Sequence, residues 1–419
     1  MSPHIAPGRT GEPGHVGGPR RTGEPGRAGG TGRTGASDHA ARTRPQAAAV
    51  YVDRLWDAVA AGDEYAATDT VLSALDDGLP GEDVLLEVIA PVQAKVGAEW
   101  AANRINVAQE HTATAINDRA VAALAQYTAL RRPAAGQQEA AARYAPGRAG
   151  TLAAPATRAR PEPPAGKGRI TVACVDGEWH ALPARILAEV LKLRGWQVDY
   201  LGAQVPAPHL ISHLHRSATQ VVALSSSIAT RLPTAHATIT ACQATGVPVL
   251  VGGAAFGPEG RYARLLGADA WAPDARAAAD LLDADRLPDP QHGHQPLDDL
   301  PHLADQEYTM VARTHAELVK AAFTGLEERY PAMRTYTDRQ REHTAEDLAQ
   351  IVSFLATALY TDDPELFTGF LLWTAGILEA RGVPADSLRP ALDVLGEELR
   401  DFTRATRFLA LAAEGLTTR

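Results

Sequence analysis

The sequence is short of the residues that mark several common protein classes, and each shortage excludes one of them. Two cysteines in 419 residues, Cys174 and Cys242, are too few for a disulfide framework and poorly spaced for a zinc site. No apolar run approaches the ~20 residues needed to span a bilayer, and the N-terminus lacks the apolar segment of a secretory signal. Lysine and arginine number 40 against 50 acidic residues, for a net charge of −10, so no domain-wide basic footprint points to nucleic acid. A cytoplasmic chain that meets neither membrane nor DNA is the expectation. What remains is ordinary for a globular protein, 45% apolar and 21% charged, and too long for a single core.

Residues 1–45 are mainly Gly, Pro, Arg and Thr, with Arg9-Thr-Gly-Glu-Pro-Gly14 repeated as Arg21-Thr-Gly-Glu-Pro-Gly26. Such a tract buries too little apolar surface to offset its ordering entropy and reads as a disordered tail. A basic tail of this kind could touch RNA, but a solvated extension is the favoured reading. Residues 46–131 carry helical apolar spacing: Val52, Leu55, Trp56 and Val59, then Ala66 to Leu75, a break at Pro80-Gly81, Val84 to Ala101, and Val107 to Leu130. This predicts a four-helix bundle. A Pro/Ala/Gly/Arg-rich linker covers 132–168.

Over 169–283, short β-rich runs (Ile170–Val175, Val198–Leu201, Val221–Ser225, Val249–Val251, Ala270–Trp271) alternate with helical patterns such as Ala184–Arg194 and Pro206–Ser217. Alternation of this kind predicts an α/β, Rossmann-like (flavodoxin-like) domain with a parallel sheet. A second linker spans 284–304, and 305–419 is helical throughout. Thr344 to Asp347 has capping-box-like spacing at a helix start, and Gly382-Val-Pro384 marks a helix end.

The turn after the first strand reads Asp176-Gly-Glu-Trp-His180-Ala-Leu-Pro183. In an open α/β sheet this loop lies at the carboxyl ends of the strands, where ligands bind. A histidine there, two residues after a carboxylate, can give one ring nitrogen to a metal while the other donates to the carboxylate, which fixes its tautomer. The third strand ends in Ser225-Ser226-Ser227 and the fourth in Gly252-Gly253. These small residues leave room for a bulky group to approach the backbone.

Acidic-x-His, a serine some forty residues on, then Gly-Gly, resembles the signature of domains that bind cobalamin with its own base detached. The resemblance implies His180 as lower ligand to the cobalt, Glu178 and Ser225 supporting it, and Trp179, Ser227, Gly252 and Gly253 around the cofactor. Pro183 stands where that family has Gly, and Ser227 where Leu is usual.

In the helical segment, Trp100 is followed nine residues later by Glu110-His111. This pattern resembles the cap of the CarH-type adenosylcobalamin photoreceptors. The resemblance implies that Trp100 covers the upper ligand while Glu110 and His111 hydrogen-bond it. The type member carries a histidine immediately after the Trp; here that position is Ala101, which leaves His111 as the substitute. CarH-type repressors also carry a winged helix-turn-helix ahead of the cap, which the residues before 45 are not expected to form.

Cap, cobalamin domain and a C-terminal helical unit of globin-like size are similar in order to the photocobilins, which bind cobalamin and biliverdin. Two propionates need cationic partners and a conjugated plane needs an aromatic wall. Arg334, Tyr336, Arg339, Arg341, His343 and Trp373 are the candidates; His343 would also serve a haem iron. With no cysteine beyond Cys242, a thioether-linked bilin in this unit is excluded. The expected function is a light sensor carrying adenosylcobalamin and biliverdin, assembling with further copies of itself and a downstream protein. The alternatives are a corrinoid methyl carrier of a methyltransferase system, and a cobalamin regulator without photochemistry.

Overall fold

The computed structural model describes residues 35–131, 167–284 and 300–418, with side chains from residue 47 onward. The rest of the expected tail and linkers lies outside the described residues. The cap contains α1 (Gly35–Ala61), α2 (Glu64–Asp76), α3 (Ala90–Ala101) and α4 (Val107–Arg131). A helical turn at Gly81–Asp83 and a π-helical segment at Val84–Ile89 lead into α3. The first helix begins inside the stretch read as tail. Asp63 caps α2 by accepting from the Tyr65 and Ala66 N–H groups.

The α/β unit contains β1 (Arg169–Cys174), α5 (Ala181–Leu193), β2 (Gln197–Gly202), α6 (Ala207–Leu214), β3 (Val221–Ser225), α7 (Leu232–Gln243), β4 (Val249–Gly252), α8 (Arg261–Leu265), β5 (Ala270–Ala272) and α9 (Ala275–Asp283). All strand pairs are parallel, in the order β2-β1-β3-β4-β5. This is the expected flavodoxin-like winding, whose switch point lies between β1 and β3.

The C-terminal unit contains α10 (Glu307–Arg313), α11 (His315–Arg329), α12 (Asp338–Thr361), α13 (Pro364–Ala380), α14 (Arg389–Glu398) and α15 (Thr403–Thr417). The capping box at the start of α12 is Thr337/Gln340, not Thr344/Asp347. The Thr337 N–H donates to Gln340 Oε1 at 2.9 Å, and Thr337 Oγ1 accepts from the Gln340 N–H at 3.3 Å. Thr344 lies inside the helix, where its hydroxyl donates to the Gln340 carbonyl at 2.8 Å, a local bond that removes it as a cap.

The period-2 alternation of the strands divides the core. Ile170, Val172, Val221, Ala223 and Leu250 share one buried cluster with the cap helices, whereas Ala173, Val222, Leu224, Val249 and Val251 share another with the C-terminal helices. Polar contacts then fix each contact surface. Arg194 forks onto Glu82 at 2.7 and 2.8 Å, and Arg276 reaches Glu82, Asp83 and Glu87. On the other side, His236 Nδ1 pairs with Tyr360 Oη at 2.8 Å and Tyr262 donates to Asp363. Among the described residues no helix is long and apolar enough to cross a membrane.

Candidate functional site

The β1–α5 loop turns at Gly177, whose φ of +77° suits glycine, and places Glu178 and His180 beneath the cap. Glu178 is fully buried. Its Oε1 lies 2.6 Å from His180 Nδ1 and accepts from the His180 N–H at 2.9 Å. Its Oε2 accepts from the Ser227 N–H at 2.6 Å, the Ile228 N–H at 3.1 Å and the Ser226 hydroxyl at 3.2 Å. Burial by itself would raise the Glu178 pKa. The hydrogen bonds from His180 and Ser227 outweigh it and hold the carboxyl at about 2. It is a fixed anion with both oxygens occupied, and it orients the His180 ring through Nδ1.

The carboxylate support therefore comes from Ser226, Ser227 and Ile228. Ser225 lies one residue short, on the last position of β3, and lines a different feature. That feature is a slot of about 490 Å³ at the carboxyl ends of β3, β4 and β5, walled by Ser225, Gly252, Gly253, Ala272, Pro183 and Leu187. Gly253 has φ +100°, and a Cβ there would come within 2.2 Å of the Ser226 carbonyl oxygen, so backbone packs where a side chain would stand. Pro183 sits in the first turn of α5, where its missing N–H costs nothing.

Above the loop is a cleft of about 760 Å³ between α4 and α5, lined by Glu110, His111, Gln93, Thr114, Trp179 and His180 among others. The Trp179 indole stacks on the His180 imidazole at 4.1 Å between centroids and meets the His111 ring edge-on at 6.1 Å. His111 Nδ1 lies 3.0 Å from Glu110 Oε2, and Glu110 Oε1 accepts from the Thr114 hydroxyl at 2.9 Å. Gln93 links Thr114 to Asn117. Trp100 is not in this lining. It is buried against the C-terminal unit, 6.4 Å from the Trp373 ring, with the Arg381 guanidinium 5.2 Å from its centroid.

The C-terminal helices line a further cavity of about 880 Å³, part of it open to solvent. Its walls include Tyr330, Tyr336, His343, Asp347, Ile351 and Arg381. Of the six sequence candidates, Tyr336 and His343 line it. Arg334 and Arg339 are exposed, with Arg339 Nε 3.4 Å from His343 Nε2. Arg341 turns to Glu327 and covers the Phe323 ring, and Trp373 faces Trp100. Asp347 and Arg381, which sequence reasoning missed, take their place. Burial raises the Asp347 pKa to about 6 although His343 and Arg381 pull it back; burial also lowers that of Arg381. Cys174 and Cys242 are buried, and burial pushes both thiols up to about 12, so they stay protonated and unreactive.

A doubly wound sheet with a locked histidine at its switch point, a glycine-walled slot beside it and a cleft above fits a metal macrocycle bearing a bulky tail. The comparisons with known proteins agree. Residues 168–281 and residues 51–125 each match a family described as a B12 binding domain. Two B12 binding domains indicate a cobalamin-binding protein. No curated protein matches it. Among solved structures it is similar to the Methanosarcina barkeri monomethylamine corrinoid protein, at 18% identity and a TM-score of 0.43, covering 56% of this chain and 99% of that one. It is also similar to a cobalamin-binding protein from Desulfitobacterium hafniense DCB-2 (19%, 0.28; 56% and 97%). A third likeness is to the Methanosarcina barkeri methanol:cobalamin methyltransferase complex (13%, 0.28; 56% and 79%).

Proposed function

We propose that the chain is a light sensor that holds adenosylcobalamin between cap and α/β unit and a bilin in the C-terminal cavity. His180 would supply the lower cobalt ligand, Glu178 would hold the imidazole, and the slot walled by Ser225, Gly252 and Gly253 would take the nucleotide tail. Glu110 and His111, which line the cleft, would hydrogen-bond the upper ligand. The cofactor, when bound, supplies a cobalt–carbon bond that light cleaves. The bilin would be held without a covalent link, because both thiols are buried and protonated.

The observation that carries this reading is the C-terminal cavity itself. It is a large space with mainly apolar and aromatic walls, a few convergent polar groups and one guanidinium, the composition of a small-molecule site. The second reading, a corrinoid methyl carrier, is favoured by a different observation: Trp100 is turned out of the cleft, which leaves the upper face without the indole cover expected over an adenosyl group. Absorption spectra separate the two. Protein reconstituted with adenosylcobalamin and biliverdin should show a red band from the bilin and a lasting change in the cobalamin bands on illumination. A chain that takes up no biliverdin and returns unchanged after illumination is a carrier or a plain cobalamin binder.

A further inference from the structure

Arg381 belongs to two places at once. It follows the last residue of α13 and lines the C-terminal cavity. Its guanidinium also lies 5.2 Å from the centroid of the Trp100 ring, on the penultimate residue of α3 in the cap. Among the described residues no carboxylate lies within ion-pair distance of the guanidinium, whose hydrogen bond runs from Nη1 to the Ile377 carbonyl at 3.2 Å. The neighbouring cap residue Asn103, held in the left-handed region at φ +57°, donates through Nδ2 to the Ala380 carbonyl at 3.4 Å. The cap therefore touches the end of α13 twice, immediately before α4 begins and presents Glu110 and His111 to the cleft.

An arginine that lies against an indole through its face keeps its edge N–H groups for a carboxylate, and loses less freedom when it binds one. We infer that Arg381 is the carboxylate-receiving residue of the C-terminal cavity, and that Trp100 of the cap is its positioning residue. This rests on the reading of the cavity as a bilin site. It makes the occupant's acid group the point at which the cavity and the cap are joined.

The test compares biliverdin with biliverdin dimethyl ester, which has the same ring system without the acid groups, on the full chain. Trp100→Leu should weaken biliverdin about 5-fold, the equivalent of a cation–π contact of about 1 kcal/mol, and leave the ester unchanged. Trp100→Phe keeps an aromatic face and fills more of the space than leucine, so it serves as the second variant should the leucine chain fail to fold. It should weaken biliverdin by about 2-fold, a smaller but measurable loss, and leave the ester unchanged. An equal loss for acid and ester, or no loss for either, overturns the inference while leaving the bilin reading in place. If the wild-type chain takes up neither compound, the bilin reading fails and the inference fails with it.

Discussion

Glu178 and Asp347 are both carboxylates beside a histidine and largely withdrawn from water, and the protein treats them in opposite ways. At the sheet edge, Glu178 receives hydrogen bonds from three backbone N–H groups, a hydroxyl and a ring nitrogen, and its pKa is held at about 2. In the C-terminal cavity, Asp347 has His343 and Arg381 acting from a distance, and burial raises its pKa to about 6. The first group is finished: its charge is fixed and its geometry locked, as an element that orients a metal ligand must be. The second retains unspent polarity, as does Arg381 across the cavity. Full satisfaction marks the site that holds its ligand by orientation, and incomplete satisfaction the site that still awaits a partner.

Substitutions at the sheet edge should have the largest effects. His180→Ala removes the side chain proposed as lower ligand. Cobalamin affinity should fall at least ~100-fold, given that loss of a supporting partner alone costs 10–100-fold. Spectral titration with hydroxocobalamin measures it, and an unchanged spectrum at unchanged affinity would remove His180 from the site. Glu178→Gln should cost roughly 10–100-fold. The amide NH2 would face either the donors at Ser226, Ser227 and Ile228 or those of His180, so one oxygen's partners are lost in either orientation.

Gly253→Ala probes the slot. A Cβ 2.2 Å from the Ser226 carbonyl, on a residue at φ +100°, should destabilise the fold by roughly 1–3 kcal/mol, read from urea unfolding. A neutral result would mean that the loop relaxes freely and the slot is not rigid.

Asp347→Asn should act with the opposite sign. Because the folded-state pKa is raised, the folded chain keeps a proton between about 3.8 and 6 that the unfolded chain has released. Stability therefore falls as pH rises through that window and stays lower above it. The asparagine chain should melt higher than wild type at pH 8, by about 2–4 °C for each kcal/mol recovered, and the two should converge near pH 4. A lower melting temperature at pH 8 would mean that the carboxylate is already paired.

The sheet-edge site was largely legible because its parts are local or fixed by topology. A histidine two residues after a carboxylate, on the loop after β1, reaches the switch point of any doubly wound sheet, and glycines at the end of β4 lie beside it. The choice among Ser225, Ser226 and Ser227 was not legible, because it depends on how the chain turns as β3 ends. The C-terminal cavity was harder. The run Arg334 to His343 stands out in the sequence by its charge, yet Arg334 and Arg339 are exposed and Arg341 is paired with Glu327. Arg381 and Asp347, 34 positions apart in the sequence, meet only through the packing of α12 and α13. Trp100 carried a signal of burial and aromaticity in the sequence, but nothing there tells which neighbour it is buried against. The misplaced capping box has the same cause: Thr344 and Asp347 have suitable spacing, and only the chain's entry at Thr337 decides where α12 starts.

The central claim, that His180 is the metal-binding residue of a cobalamin site, is tested most directly by electron paramagnetic resonance of the protein loaded with cob(II)alamin. Protein made with ¹⁵N-labelled histidine should convert the axial nitrogen splitting from the triplet of ¹⁴N to the doublet of ¹⁵N, and His180→Ala should abolish that conversion. A triplet that persists in the labelled protein would show that the cofactor keeps its own base, and would contradict the account.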